Sequence, residues 1–435
     1  MDAGQAVARA ARPGEGSACR ELVERIFGPK VRLFDILTGV DPDHRPEYVR
    51  VVDYGGRLAA VAVVVPRRIL LAGLPVEGAV VALVGTDSRY RGRGFGRLLV
   101  EDTLAFIRSR GFRIAMVRGA PDFYGKFGFV PCLGSYSVNF SARNVRLDPA
   151  PPTGGERLWR PMTDHDTSAL CRLYQAVTAR TPCAVVRSEA AWVWRSPRPS
   201  GARIFVLQVR RGEPGSEPAG DGQAVAAYVR WSLREPGPGQ VDRGVLVVPE
   251  IGAKSPYALA EALRWTAAKA LEGGLGQVRF AGPPDHPFAR LAYLMGRAEM
   301  RVSPAAAGRV IVTNRGLLLA DLIPVFQRRA QSAGLEPGSR LTIDVGTKRF
   351  ELVETGGLPR LVGGRAGLSG SGPVSRLSPE AFTYLVTGYA SGAEVAALPG
   401  AAVAPEHREA LEALFPSAFP QWVPAPYWAD FEGEG

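Results

Sequence analysis

The stretch from Val80 to Pro131 constrains this chain more than any other. In order it holds a β-branched apolar run, a basic glycine loop, an amphipathic segment, a second apolar run and the tail Tyr124-Gly125-Lys126-Phe127-Gly128-Phe129. Val80 to Val84 is bounded by Gly85 and a polar turn, as a buried strand is, because valine packs well on a pleated surface. Leu98, Leu99, Thr103, Phe106 and Ile107 then recur at helical spacing, and Gly111 supplies the stop. The order is a β-loop-α-β unit, and its loop is where chemistry first shows.

Glycines at 92, 94 and 96 let the backbone turn without a Cβ clash, so successive N–H groups can face one anion at the start of the following helix. Arg89, Arg91, Arg93 and Arg97 add positive charge around it. A basic surface turn has the same composition, so context must decide. A P-loop requires a Gly-Lys-Ser/Thr ending, which is absent. A dinucleotide fingerprint requires G-x-G-x-x-G and an acidic residue about twenty positions on. This loop runs Gly-x-Gly-x-Gly, and the downstream segment is Phe112 to Arg118.

What remains is Arg91-x-x-Gly94-x-Gly96 between a strand and a helix. It resembles the coenzyme A pyrophosphate loop of the GCN5-related N-acetyltransferases (GNATs), and the match runs through the helix into the next strand. The resemblance implies acetyl-CoA as cosubstrate, with Arg91, Gly92, Arg93, Gly94, Phe95, Gly96 and Arg97 at its pyrophosphate. It also implies that Val80 to Thr86 and Arg113 to Arg118 splay apart, so that backbone at Val84, Gly85 and Thr86 holds the pantetheine arm and the acetyl carbonyl. A thiolate leaving group needs a proton donor. Tyr124 is the candidate, because the segment from Tyr124 to Phe129 looks like the one that carries the general acid in acetyltransferases of the enhanced-intracellular-survival (Eis) type. Read from the residues alone, a tyrosine beside Phe127 and Phe129 is equally a core side chain with a satisfied hydroxyl.

A chain of 435 residues accommodates two to four domains of about 100–200 residues each. The net charge is +11, yet only five of the 53 basic residues are lysines and the arginines are spread evenly. Spread charge is a solvated surface rather than a nucleic-acid stripe, so the expected polyanion is the coenzyme and no nucleic acid is expected. Cys19, Cys132, Cys171 and Cys183 lack ligand spacing and the four histidines are scattered, so free thiols and no metal are expected. There is no apolar run of membrane length and no apolar centre of a signal peptide, which sets the expectation of a cytoplasmic protein without membrane contact.

Taken in order, residues before Gly16 read as disordered, Ala18 to Phe27 as a helix, and Gly28 to Glu47 as a loop or broken helix. Leu58 to Val65 and Ile69 to Val76 read as two strands joined at Pro66-Arg67-Arg68, and Cys132 to Phe140 as one more. A linker follows from Asp148. The chain then restarts: Val245 to Val248, a helix from Pro256 to Leu271 and a strand at Val278 to Ala281 repeat the central unit. Gly111, Gly119 and Asp122 recur as Gly274, Gly282 and Asp285, all at one constant offset. At that offset Gly94 and Gly96 become Tyr257 and Leu259, and Tyr124 becomes Pro287, so this copy has lost its chemistry. From Arg309 the chain resembles the sterol-carrier-like domain that ends Eis-type enzymes, through Ser378 to Tyr389 and Leu411 to Phe415.

The expected fold is therefore α+β: a catalytic GNAT domain over 1–147, a degenerate GNAT-like domain over 155–305, and a sterol-carrier-like domain with an aromatic tail over 309–435. The resemblance implies an N-acetyltransferase acting on primary amines such as aminoglycosides or other polyamines, assembled as a homo-oligomer, a hexamer in that family. In such enzymes the terminal carboxylate helps as base. Here Glu432-Gly433-Glu434-Gly435 follows Phe431, so Gly435, Asp430, Glu432 or a water relay are the alternatives. Glu24, Asp35, Asp430 and Glu432 are candidate acids for a cationic acceptor. A second reading, from another class, is a carrier of apolar ligands built on the C-terminal domain.

Overall fold

The computed structural model describes residues 5–146, 157–192, 203–210, 212, 214–219, 223–234, 244–335, 340–346, 348–355, 358–365 and 372–421. They divide into two compact units, residues 5–133 with 307–420 and residues 134–306 with Gln421.

The first unit opens with β1 (Ala6–Ala10), α1 (Gly16–Phe27), α2 (Val31–Gly39), β2 (Val49–Tyr54), β3 (Arg57–Leu71) and β4 (Leu74–Thr86). Then come α3 (Phe95–Ser109), β5 (Ile114–Val117) and the single turn α4 (Pro121–Tyr124). Strands β1 to β4 pair antiparallel in chain order, and β4 pairs parallel with β5. A β-strand joined through a helix to a parallel neighbour requires a crossover of this kind. α3 supplies it by burying Phe95, Leu99, Val100, Thr103, Leu104 and Ile107 on one face. Its end is marked by Gly111 at φ +77°.

β1 corrects the expectation of disorder before Gly16. Ala6 and Ala8 pack against the cluster of Val52, Ala60 and Leu99, and Arg9 bonds Glu15 at 2.7 Å and Asp53 at 2.7 Å. The two strands expected around Pro66 are one, β3. Its pairing with β2 ends at Val49 opposite Val63, so beyond that point one edge of β3 carries no ladder and a proline removes no needed donor. The hairpin turn instead falls at Ala72-Gly73, both at positive φ, which suits the twist of the flanking strands. Gly28 to Glu47 is a broken helix, with a short 3₁₀ turn at Gly28–Lys30 before α2.

β6 (Val130–Ser141) carries the chain into the second unit, which contains β7 (Leu158–Pro161), α5 (Thr167–Thr178), β8 (Arg203–Val209), β9 (Glu217–Pro218) and β10 (Ala224–Arg234). β11 (Val245–Ala253), α6 (Pro256–Glu272), β12 (Gln277–Phe280) and α7 (Pro287–Gly296) follow, and β13 (Glu299–Val312) leads back. The strand order is β6-β12-β11-β10-β8-β7, with β11 and β12 parallel. β12 stands at the offset of the sequence repeat from β5 at both ends, Gln277 answering Ile114 and Phe280 answering Val117.

In the first unit, the end of β13 pairs with β5. α8 (Arg315–Ala333) then anchors to the helix-to-strand junction, where Arg113 donates to Asp321 at 2.6 and 3.2 Å. β14 (Arg340–Val345), β15 (Lys348–Thr355), β16 (Leu358–Arg365) and β17 (Ser375–Leu377) form a four-stranded sheet of order β16-β15-β14-β17. α9 (Pro379–Thr387), α10 (Gly392–Ala396) and α11 (Arg408–Leu414) complete the unit. Residues 363–365 belong to β16 and pair with β15; residues 366–371 lie outside the described ones. Among the described residues, no helix is long and apolar enough to cross a membrane.

Leu99 is fully buried on α3, whereas Arg97 on the same helix is exposed. Leu99→Ala is expected to lower the unfolding free energy by about 2–5 kcal/mol, through lost transfer energy and the cavity left behind. Arg97→Ala is expected to change it by less than about 0.5 kcal/mol. Urea titration of both variants checks this, and equal effects would contradict the helix face assigned here.

Candidate active site

The site is built on a break in strand pairing. β4 and β5 pair only from Gly78 opposite Ile114 to Val81 opposite Val117. β4 then runs on to Thr86, paired with β3 alone among the described residues. Two residues past the break, the ladder between β3 and β4 jumps from Val63 opposite Ala82 to Val61 opposite Gly85. This bulge holds Leu83 at φ +49°, a strained conformation for a branched side chain, and it re-aims Val84. The backbone from Ala82 to Thr86 thus presents polar groups along an edge without a strand partner.

Past Thr86 the chain makes a 3₁₀ turn at Ser88–Tyr90 and enters the glycine loop. Gly92 and Gly94 lie at φ +76° and +81°, and Gly94 is the N-cap of α3. The first helical bond runs from the Leu98 amide to the Gly94 carbonyl. The amides of residues 92–97 donate to no acceptor among the described residues. Six consecutive donors at a helix start make an anion site through the orphan N–H groups and the helix dipole together. At Gly96 a Cβ would stand 3.4 Å from Thr86 Oγ1 and 3.5 Å from the Phe123 ring, ordinary contact distances, so the positive-φ requirement falls on Gly92 and Gly94 alone.

The four arginines are not equivalent. Arg89 is committed to Asp87, with Nε at 3.0 Å and Nη2 at 2.7 Å. Arg97 pairs with Glu101 at 2.8 Å on the helix surface. Arg91 has only a long contact to the Thr86 carbonyl, 3.4 Å, and Arg93 lies over the rings of Tyr54 and Tyr90. Neither Arg91 nor Arg93 has a carboxylate partner among the described residues, so these two cations remain available to an anion on the loop.

Tyr124, the last residue of α4, belongs to the same cluster as Val81, Val117 and Phe129, with Val84 packed against it, so its ring stands where β4 and β5 part. Gly119 permits this approach, because a Cβ there would fall 2.7 Å from the Tyr124 ring. The phenol makes no hydrogen bond among the described residues, and burial pushes its pKa up to about 12. It therefore stays protonated at neutral pH and presents an O–H donor.

Asp35 is found elsewhere. Its carboxylate takes Arg20 Nε at 2.8 Å and Nη2 at 3.1 Å. It lines a cleft of about 450 Å³ with Arg12, Arg20, Phe34, Thr38 and His44, and no residue of β4 or of the glycine loop reaches it. Burial lowers the His44 pKa there, against the pull of Asp41 and Glu47. Glu24 also faces Arg20, at 3.5 Å. Asp430, Glu432 and Gly435, with the aromatic tail from Trp422, lie outside the described residues. All four cysteines are buried and in no disulfide among the described residues, and no group of three or more His, Cys, Asp and Glu among the described residues is arranged to hold a metal ion.

Sequence reading missed Asp87. Its carboxylate also accepts the Arg89 amide at 3.0 Å and Arg25 Nε at 3.2 Å, and its own amide donates to Ala59. An aspartate directly after a strand and two residues before an arginine is an Asx-turn signal that was there to be read.

A bulged strand parting from its parallel neighbour, a donor-rich loop at a helix start and a buried phenol between them make up the candidate site. Residues 7–132 match the family model of the acetyltransferase (GNAT) domain. No curated protein matches the sequence. Solved structures share the fold almost end to end. A GCN5-related N-acetyltransferase from Anabaena variabilis has 15% identity and a TM-score of 0.72, over 96% of this chain and 99% of its own. One from Kribbella flavida has 18% identity and a TM-score of 0.68, over 97% and 100%. Eis1 from Mycobacterium abscessus has 14% identity and a TM-score of 0.63, over 97% and 99%.

Hydrogen bonds from Arg89, helped by Arg25 and opposed by burial, hold the Asp87 carboxyl well below its ordinary value of 3.8. A depressed carboxyl stabilises the fold above 3.8, and that contribution is lost as pH falls toward the folded-state value. Asp87→Asn should therefore lower the melting temperature at neutral pH, with the gap to wild type closing in acid. A gap independent of pH would rule out the ionised carboxylate as its source.

Proposed function

We propose that this chain is an acetyl-CoA-dependent N-acetyltransferase of the Eis type, acting on primary amines. The observation that carries the reading is the unpartnered edge of β4 past Val81, which leads directly into the undonated amides of residues 92–97. The loop amides with Arg91 and Arg93 hold the pyrophosphate, and backbone at Val84, Gly85 and Thr86 holds the acyl arm. The neutral amine nitrogen attacks the thioester carbonyl carbon, a C–N bond forms and the C–S bond breaks. Tyr124 gives its proton to the departing sulfur and is reprotonated from solvent. The ammonium proton leaves to a base for which Gly435, Asp430, Glu432 and a water relay stand as candidates.

The second unit is read as a degenerate copy of the first. Supporting this are the constant offset between β5 and β12 and a second bulge, where the β10–β11 ladder shifts between Ser232 opposite Val247 and Arg230 opposite Glu250. There Tyr257 is exposed in place of Gly94, and Pro287 begins α7 in place of Tyr124. The four-stranded sheet with its helices is read as the sterol-carrier-like part. Homo-oligomers, hexamers in the resembling enzymes, are the proposed assembly, and aminoglycosides or other polyamines the proposed acceptors. Both rest on the resemblance of the sequence to the Eis type; the fold shared with Eis1 over 97% of this chain supports the architecture. The apolar-carrier reading does not explain why the first unit keeps loop glycines at positive φ.

Incubation with acetyl-CoA, a thiol reagent and a panel of aminoglycosides and polyamines is expected to release free thiol. Tyr124→Phe should lower kcat by about 10²- to 10⁴-fold, as loss of a general acid does, with coenzyme A affinity unchanged. Wild-type turnover in that variant would move the acid elsewhere. No thiol release with any amine, together with a lipid extracted from the purified protein, would favour the carrier.

A further inference from the structure

Asp87 joins two elements that are far apart in sequence. Arg89 binds it from within the loop, and Arg25 binds it from the last turn of α1. The carboxylate is buried, at 3% exposure, while Arg25 is 44% exposed. The same turn of α1 also presses on Gly85, where a Cβ would lie 2.6 Å from both Ile26 Cγ2 and Phe27 Cζ. The end of α1 thus touches the segment from Gly85 to Asp87 twice, once by apolar packing and once by charge. That segment connects the unpartnered strand edge to the glycine loop.

We infer that Arg25 is a positioning residue: through Asp87 it fixes the root of the loop, so that the amides of residues 92–97 face an anion without reorganising. The inference rests on reading that loop as the coenzyme site. A related contact in the second unit supports it. At the offset that carries Gly111 onto Gly274, Asp87 falls on Glu250 and Arg25 on Ser188, the neighbour of Arg187. Arg187 donates to Glu250 at 2.8 and 2.6 Å, and Tyr228 adds a bond at 2.8 Å, all buried. Here the bulge is present and the loop glycines are not. The arginine–carboxylate contact therefore accompanies the bulged strand, within β11 in the second unit and just past β4 in the first, where Arg89 extends its hold to the loop. Glu21, at 3.9 Å, is the other acid facing Arg25.

Arg25→Met keeps the aliphatic stem and removes the charge; Arg25→Lys restores the charge. Hydrogen exchange at the bonded amides of Arg89, Tyr90 and Arg91, measured without coenzyme, should rise roughly threefold to fivefold in Arg25→Met, the scale of a half-exposed ion pair. The Kd for coenzyme A by calorimetry and the KM for acetyl-CoA should rise by the same factor, with the loss in KM rather than kcat, and Arg25→Lys should recover most of it. Wild-type exchange in this loop would overturn the inference, as would a rise matched across the whole unit, the mark of general destabilisation. If the wild-type protein binds no coenzyme A, the coenzyme reading fails while the exchange measurement still decides the role of Arg25.

Discussion

The parting of β4 from β5 past Val81 and Val117 is the constraint on which the rest of the site depends. A parallel pair that stayed zipped would satisfy the edge of β4 with backbone bonds and leave nothing for a substrate. The bulge at Leu83 and Val84 changes the register on the β3 side just beyond this point, so β4 keeps its hold on the sheet while its other edge is released. Unpaired backbone groups are costly when buried. Residues 83–86 are only half-buried here, so these groups are not sealed from water.

The loop and the phenol follow from that opening. β4 ends in Thr86 at the start of the loop, and the two positive-φ glycines turn the chain into α3 with its first amides still free. Tyr124 reaches the gap because Gly119 leaves room beneath its ring and because Phe123 and Phe129 pack edge-on against it. Burial raises the pKa of the phenol, so it remains an O–H donor at neutral pH. The two readings of Tyr124, core aromatic and acid, are not exclusive: its ring is core, and its hydroxyl has no partner among the described residues.

In the second unit the same strand-helix-strand frame is filled differently. β11 and β12 pair up to Val248 opposite Phe280, and β11 runs on past the bulge to Ala253, as β4 runs on to Thr86. Just past Val248, Glu250, Arg187 and Tyr228 fill the interior with a bonded polar network over which Tyr174 and Trp192 pack. A frame of this kind is stable without a ligand because its polar groups bond to one another. In the first unit the amides of residues 92–97 have no such partners among the described residues.

The sequence by itself determined the β-loop-α-β unit, its glycine loop and the second strand-helix-strand segment at a constant offset from the first. These rest on local physics: valine runs favour strands, helical spacing favours an amphipathic helix, and only glycine takes positive φ without strain. Pro66 misled because a proline's cost depends on whether a neighbouring strand needs its N–H, and Val7 to Arg9 misled because a short segment is ordered only by the partner it finds. Asp35 went to an arginine in another cleft, and Asp87 gained its importance from Arg25, 62 residues away. Which arginines are spent on carboxylates, where a ladder ends and which phenol meets the gap were decided by tertiary structure alone, because each depends on groups that adjoin only once the sheet has formed.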